Sequence, residues 1–140
     1  MSIAAVLAPV FAQVALTFAL LFWMGGSRVA SLRAGQVRIK DIALAQPAWP
    51  ERIMRIGNTY HNQFETPVLF YALVAFAILT RKADFWFVVL SWLYVLARVV
   101  HASIYTTNNV VQRRFQVFLV GAVILVVMWL IFAVRILIDP

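Results

Sequence analysis

The residues of this chain that could do chemistry fall into two short runs. Arg55, Asn58, Asn62 and Glu65 stand at offsets of 0, 3, 7 and 10. At about 100° per residue that spacing puts all four on one face of a helix. Ser91, Tyr94, Arg98, His101 and Tyr105 repeat the pattern further along and also share a face. A guanidinium can fork onto a carboxylate. Asn58 and Asn62 can pair with amides, and the Glu65 carboxylate can hold an amino group. Such a set suits an anionic, peptide-like ligand. The chain has no cysteine, which excludes a protein thiol nucleophile, a thiolate metal site and a disulfide. With two histidines and five carboxylates, a structural zinc site is not expected. No Ser–His–Asp arrangement is evident, so a nucleophile would arrive with the ligand.

The elements that must position these residues are membrane helices. Hydrophobic residues make up 64% of the 140 positions and charged residues 12%, whereas a soluble domain is roughly 45–50% apolar. A helix needs about 20 apolar residues to cross the hydrocarbon. One small all-α domain with four spans is predicted, at about 3–24, 51–79, 85–105 and 115–138. The first carries no charge, and its only polar residues are Gln13 and Thr17. No Lys or Arg precedes it, so it reads as a retained helix rather than a cleaved signal. Gly25-Gly26-Ser27 is expected to end it, and Pro47 and Pro50 punctuate the connection that follows. Pro67 lies inside the second span and should kink it.

Both polar runs therefore lie within spans, where ionisable residues are costly and suggest function by default. An isolated charge at the bilayer centre costs at least about 2.5–3.5 kcal/mol. The simplest relief is a pair between Glu65 and Arg98, or between Glu65 and an arginine of a neighbouring subunit. A structural ion pair that fixes helix register would explain that pair alone. Two long polar stripes point instead to a polar cavity between helices or between subunits.

The net charge is +7. The bases interrupt apolar spans, which fits the positive-inside bias and lipid headgroups better than nucleic acid. The first connection, with Arg28, Arg33, Arg38 and Lys40, and the third, with Arg113 and Arg114, fall on one side of an even-spanned bundle. The bias makes that side cytoplasmic and puts both termini opposite.

The segment from Arg55 to Pro67 resembles the Asn-x-x-Glu-x-x-Pro signature of the MAPEG superfamily, the membrane-associated proteins of eicosanoid and glutathione metabolism. Ala97-Arg98-Val-Val-His101-Ala-Ser-Ile-Tyr105 is similar to that family's Ala-Arg-x-x-[His/Tyr]-x-x-x-Tyr pattern. The resemblance covers essentially the whole chain, and Gln63-Phe64-Glu65-Thr66-Pro67 looks like a bacterial branch, which implies the inner membrane. It implies a homotrimer of four-helix bundles with glutathione, without metal, bound between subunits. The activity implied is transfer of glutathione to lipophilic electrophiles, reduction of lipid hydroperoxides or isomerisation of eicosanoids. By position, Asn62 and Glu65 would hold the glutathione backbone. Arg98 would support the site, and Tyr105 would hydrogen-bond it. His101 takes a place often filled by Tyr or His. Arg113 or Arg114, at the start of the fourth helix, would favour the thiolate, because a nearby cation lowers a thiol pKa. Glutathione-using members carry Arg four residues before the motif Asn; here that position is Asn58, and Arg55 lies one turn earlier. Some relatives bind lipophilic molecules or partners without catalysis, which gives the alternative function. A transporter is the third reading, although the chain lacks the paired broken helices of that class.

Overall fold

A computed structural model describes residues 1–44 and 48–139. The expected break at Pro47 lies outside the described residues. The described residues form five α-helices and one 3₁₀ turn. The helices are α1 (Ile3–Arg33), α2 (Glu51–Asn62), α3 (Thr66–Leu79), α4 (Phe85–Thr106) and α5 (Val111–Ile138), with the 3₁₀ turn at Ile39–Ile42. Helices α2 and α3 together make one span, so four segments are long and apolar enough to cross a membrane. The protein is an all-helical, four-span membrane bundle.

Three expectations about these elements need correction. Helix α1 does not end at Gly25-Gly26-Ser27 but runs on to Arg33, with Ala34 as its C-cap. Glycine in a helix costs only about 1 kcal/mol relative to alanine and is not in itself a stop. Thirty-one residues make a helix of about 46 Å, against roughly 30 Å of hydrocarbon. The apolar stretch thus ends near Met24 while the helix continues as a basic stalk. Its terminator is Gly35 at φ +71°, the left-handed position after a C-cap that favours glycine.

The second span is two helices rather than one kinked helix. Gln63 caps α2, Glu65 has non-helical angles (φ −94°, ψ −107°), and Pro67 sits in the first turn of α3. A proline is tolerated in a first turn because no helical acceptor is waiting there for its missing N–H. The fourth span begins at Val111 rather than Phe115, so Arg113 and Arg114 lie in its opening turn.

The core is apolar. Val6, Phe70, Leu73, Val74, Tyr94, Leu125 and Met128 form its centre. Gly121 of α5 faces α4, where a Cβ would make an ordinary contact with Ala97 Cβ at 3.5 Å. The two ends of the bundle are held by different polar contacts. At one end Arg55 Nη1 donates to Thr107 O at 3.0 Å, joining the start of α2 to the α4–α5 connection. At the other, Arg135 Nη2 donates to Asp84 Oδ2 at 2.7 Å, and Lys82 Nζ donates to Asp139 Oδ2 at 2.6 Å. Met1 and Ile3 border the same cavity as Arg81 and Ala83. Both termini thus share the α3–α4 end, and the α1–α2 and α4–α5 connections share the other.

Asp84 does two jobs at that end. It caps α4 by accepting from Phe87 N at 2.9 Å, and it pairs with Arg135. The Arg135 hydrogen bond outweighs partial burial and holds the Asp84 carboxyl below the usual carboxylate range. A depressed folded pKa contributes stability above the unfolded value of about 3.9 that is lost as pH falls through the folded one. Asp84→Ala should lower stability by about 1 kcal/mol, mainly through the lost cap, read as thermal unfolding in detergent. The wild type should lose more of its melting temperature than the variant on acidification from pH 5 to pH 3. Equal losses would separate Asp84 from the acid response.

Candidate functional site

The two polar stripes meet at the break between α2 and α3. The last carbonyls of any helix lack intrahelical donors, and α2 ends at Asn62. Arg98, from the middle of α4 and only 2% exposed, fills this gap. Its Nη2 donates to Asn62 O at 3.3 Å and also to Asn62 Oδ1. The Asn62 amide then turns outward, where its Nδ2 donates to Glu65 Oε2 at 2.8 Å. Arg98, Asn62 and Glu65 therefore form a relay from the buried centre to the exposed face of α2.

This geometry corrects the expected Glu65–Arg98 ion pair. Arg98 donates through Nη2 to a neutral amide and a backbone carbonyl, its buried Nε has no partner among the described residues, and Glu65 remains on the outer face. The reason is reach: Asn62, one turn before Glu65, stands between them. Tyr94 and Ser91 are also not cavity-lining. Tyr94 is fully buried, lies 3.0 Å from Thr66 Oγ1 through its hydroxyl, and packs on Phe70 at 4.8 Å between ring centroids. Ser91 Oγ donates to Phe87 O at 2.8 Å within its own helix. The stripes thus touch directly over part of their length, where a cavity was expected.

The remaining candidates divide by depth. Asn58 is exposed on α2 beside half-buried Arg55. Arg55 is engaged by Glu51 on one side and Thr107 O on the other. His101 is 4% exposed, its Nδ1 has no protein partner, and its ring lies 6.1 Å from Tyr105 and 5.9 Å from Phe118. Arg114 lies over the Tyr105 ring at 4.1 Å and donates to Asn109 Oδ1 at 2.6 Å. Its neighbour Arg113 is exposed and turned about 100° away around α5. Arg114, His101 and Tyr105 therefore gather at one end of the Arg98 stripe, while Arg113 stands outside the group.

One part of the site has no counterpart in the two motifs. Gln13 of α1, fully buried, donates through Nε2 to Gln63 Oε1 at 2.8 Å. Gln63 in turn donates to Thr59 O at 2.9 Å. This bridge fixes the residue next to Asn62 at the helix break. The signal was in the sequence, since Gln13 is one of only two polar residues in the first span, but nothing in its spacing assigned it a partner.

The profile of the MAPEG family matches residues 6–134. The chain belongs to the MAPEG family. Searches among curated proteins and among solved structures gave no match. The MAPEG match covers all four spans and includes both polar runs, so the relay and the Gln13 bridge are features of a MAPEG bundle.

The bridge should be measurable. Gln13→Leu leaves the Gln63 amide buried without its partner and should destabilise the bundle by about 0.5–1.5 kcal/mol. Because two apolar groups can replace a buried pair at little net loss, Gln13→Leu with Gln63→Leu should recover part of it. A double-mutant cycle from thermal unfolding in detergent reads the coupling; additive losses would mean that the bridge contributes nothing.

Proposed function

We propose that this MAPEG protein is a glutathione-dependent transferase or peroxidase acting on lipophilic electrophiles or lipid hydroperoxides dissolved in the membrane. The observation that carries the proposal is the relay Arg98–Asn62–Glu65, which ends in a carboxylate on the exposed face of a membrane helix. A carboxylate at that depth calls for a polar partner, and the ammonium and amides of glutathione would supply one. The donor set fits the tripeptide. Glu65 would hold its amino group, Asn58 and Asn62 its amides, and Arg55 and Arg114 lie nearest the basic end to meet its carboxylates and thiolate. Tyr105 and His101 would line the same place beneath Arg114.

Of the two arginines considered for the thiolate, Arg114 is the better candidate. It lies over Tyr105 and near His101, on the side of α4 that carries Arg98, whereas Arg113 faces away. In this reading the Arg114 guanidinium stabilises the sulfur anion, and the thiolate attacks a substrate that enters laterally from lipid. Because Glu65 and Asn58 are exposed on the single subunit, the proposal includes assembly, as a homotrimer, that would enclose the ligand between copies. The basic end, with the α1–α2 and α4–α5 connections, would face the cytoplasm.

A second reading is favoured by Asn58, which stands where glutathione-using members carry Arg. Arg55 is engaged by Glu51 and Thr107, so it does not simply replace that Arg. On this reading the protein binds a lipophilic molecule or partner without catalysis.

Isothermal calorimetry with millimolar glutathione on the detergent-purified protein distinguishes the two. Binding, with thiolate absorbance near neutral pH, is expected from the first reading and no binding from the second. Arg114→Ala should lower turnover on a model electrophile by 10-fold or more, in line with the loss of one electrostatic stabiliser. Arg113→Ala should have the smaller effect, and the reverse order would refute the assignment.

A further inference from the structure

A groove runs along the lipid-facing side of the bundle between α4 and α5, with a volume of about 340 Å³. Its walls are Leu96 and Val100 from α4 and Val117, Val120 and Ile124 from α5, and Ala97 also lines it. At about 100° per residue Leu96 and Val100 lie on the side of α4 away from Arg98, and Ala97 lies on the flank towards α5. The groove is therefore separate from the site described above, with α4 between them.

The groove has one polar end. Gln116 lines it there, and Arg113 lies one turn further towards the start of α5 on the same face. Arg113, Gln116, Val117, Val120 and Ile124 fall within about 100° of one another around the helix. Arg113 is exposed and has no hydrogen bond or ion pair among the described residues. Four arginines at this end are engaged, Arg114 by Asn109 and Tyr105, Arg55 by Glu51 and Thr107, Arg38 by Asp41 and Arg28 by Trp49, whereas Arg33 and Arg52 are exposed like Arg113 but do not line the groove. The carboxylates of this end, Glu51 and Asp41, are themselves paired. The cation at the mouth of the groove is thus left for an external anion.

The length of the groove narrows the choice of occupant. From Arg113 to Ile124 the helix rises about 16 Å, close to half of the roughly 30 Å hydrocarbon thickness. That is the depth of one leaflet. A chain lying on Val117, Val120 and Ile124 would end near the bilayer midplane with its headgroup level with Arg113. We propose that this groove is a docking site for one anionic phospholipid of the leaflet at the basic end. One acyl chain lies between α4 and α5, and the headgroup phosphate lies on Arg113 and Gln116. A second copy of the chain is a poorer fit, because an apolar helix offers nothing to the unpaired guanidinium.

The test is lipid competition on the full-length protein in neutral detergent. An equimolar mixture of phosphatidylglycerol and phosphatidylcholine with matched chains is added, and native mass spectrometry counts each lipid retained. Phosphatidylglycerol should exceed phosphatidylcholine by roughly fivefold, the effect of one cation near an anionic surface. Arg113→Ala should bring that ratio close to one, and Arg33→Ala, an exposed cation of the same end, should leave it unchanged. Val120→Trp, at an exposed position, should fill the groove and remove one retained phosphatidylglycerol per chain. Leu96→Trp does the same from the other wall should the first plug fail to fold. Equal retention of the two lipids by the wild type overturns the proposal, as does an unchanged ratio in Arg113→Ala or undiminished retention in both plugged variants. A stable oligomer that retains no lipid would mean that a second copy covers the groove, and would also overturn it.

Discussion

An arginine sealed inside a membrane bundle must find its acceptors in the protein, and the arrangement around Arg98, whose Nη2 finds two, follows from that constraint. Neither water nor lipid can relieve a guanidinium at 2% exposure. The acceptors come from a helix that stops. Because α2 ends at Asn62, the Asn62 carbonyl is free of an i+4 donor and can accept from Arg98. A cation at the C-terminal end of α2 also meets the negative end of its dipole. The broken span and the buried arginine thus fit each other: the break leaves the Asn62 carbonyl with only the Glu65 N–H at 3.3 Å, and Arg98 supplies a second donor.

The break in turn needs support, and each neighbouring span supplies some. Gln13 of α1 holds Gln63 on the residue after Asn62. Tyr94 of α4 meets Thr66, the first residue of α3. Pro67 then starts α3 at a position where its missing N–H costs little. These ties leave the orientation of Asn62 little freedom, and through Asn62 they also fix the position of Glu65. A carboxylate on the exposed face of α2 is therefore held by a chain of contacts that begins in the core of the bundle.

Much of this was legible in the sequence. Hydropathy alone gave the four spans, and the 100° arithmetic put Asn62 and Glu65 on one face and Arg98, His101 and Tyr105 on another. Illegible were the features that depend on neighbouring spans. Gln13 carries no periodic signal, because a single polar residue in an apolar span has no spacing to read. Tyr94 shares a face with Arg98, but burial between α3 and α4 takes it out of reach of any ligand. The pairing of Glu65 with Arg98 failed because opposite charges on facing stripes indicate attraction but not which residue stands between. Helix α1 outlasted Met24 because glycine weakens a helix without ending it, and only the left-handed turn at Gly35 reverses the chain.

The two faces of the bundle make different demands on their surroundings. The outer face of α2 presents Asn58, His61 and Glu65, polar groups that hydrocarbon cannot satisfy. The outer face of α4 and α5 presents Leu96, Val120 and Val127, which lipid covers without loss. An arrangement that turned α2 to lipid and α4–α5 to protein would leave a carboxylate in hydrocarbon while covering side chains that gain little from being covered. The opposite arrangement satisfies both faces. For the assembly proposed above, a copy-to-copy interface through α2, with lipid along α4 and α5, is therefore the orientation that the distribution of polar groups favours. It would put the exposed end of the relay inside an assembly and the groove below Arg113 on its perimeter.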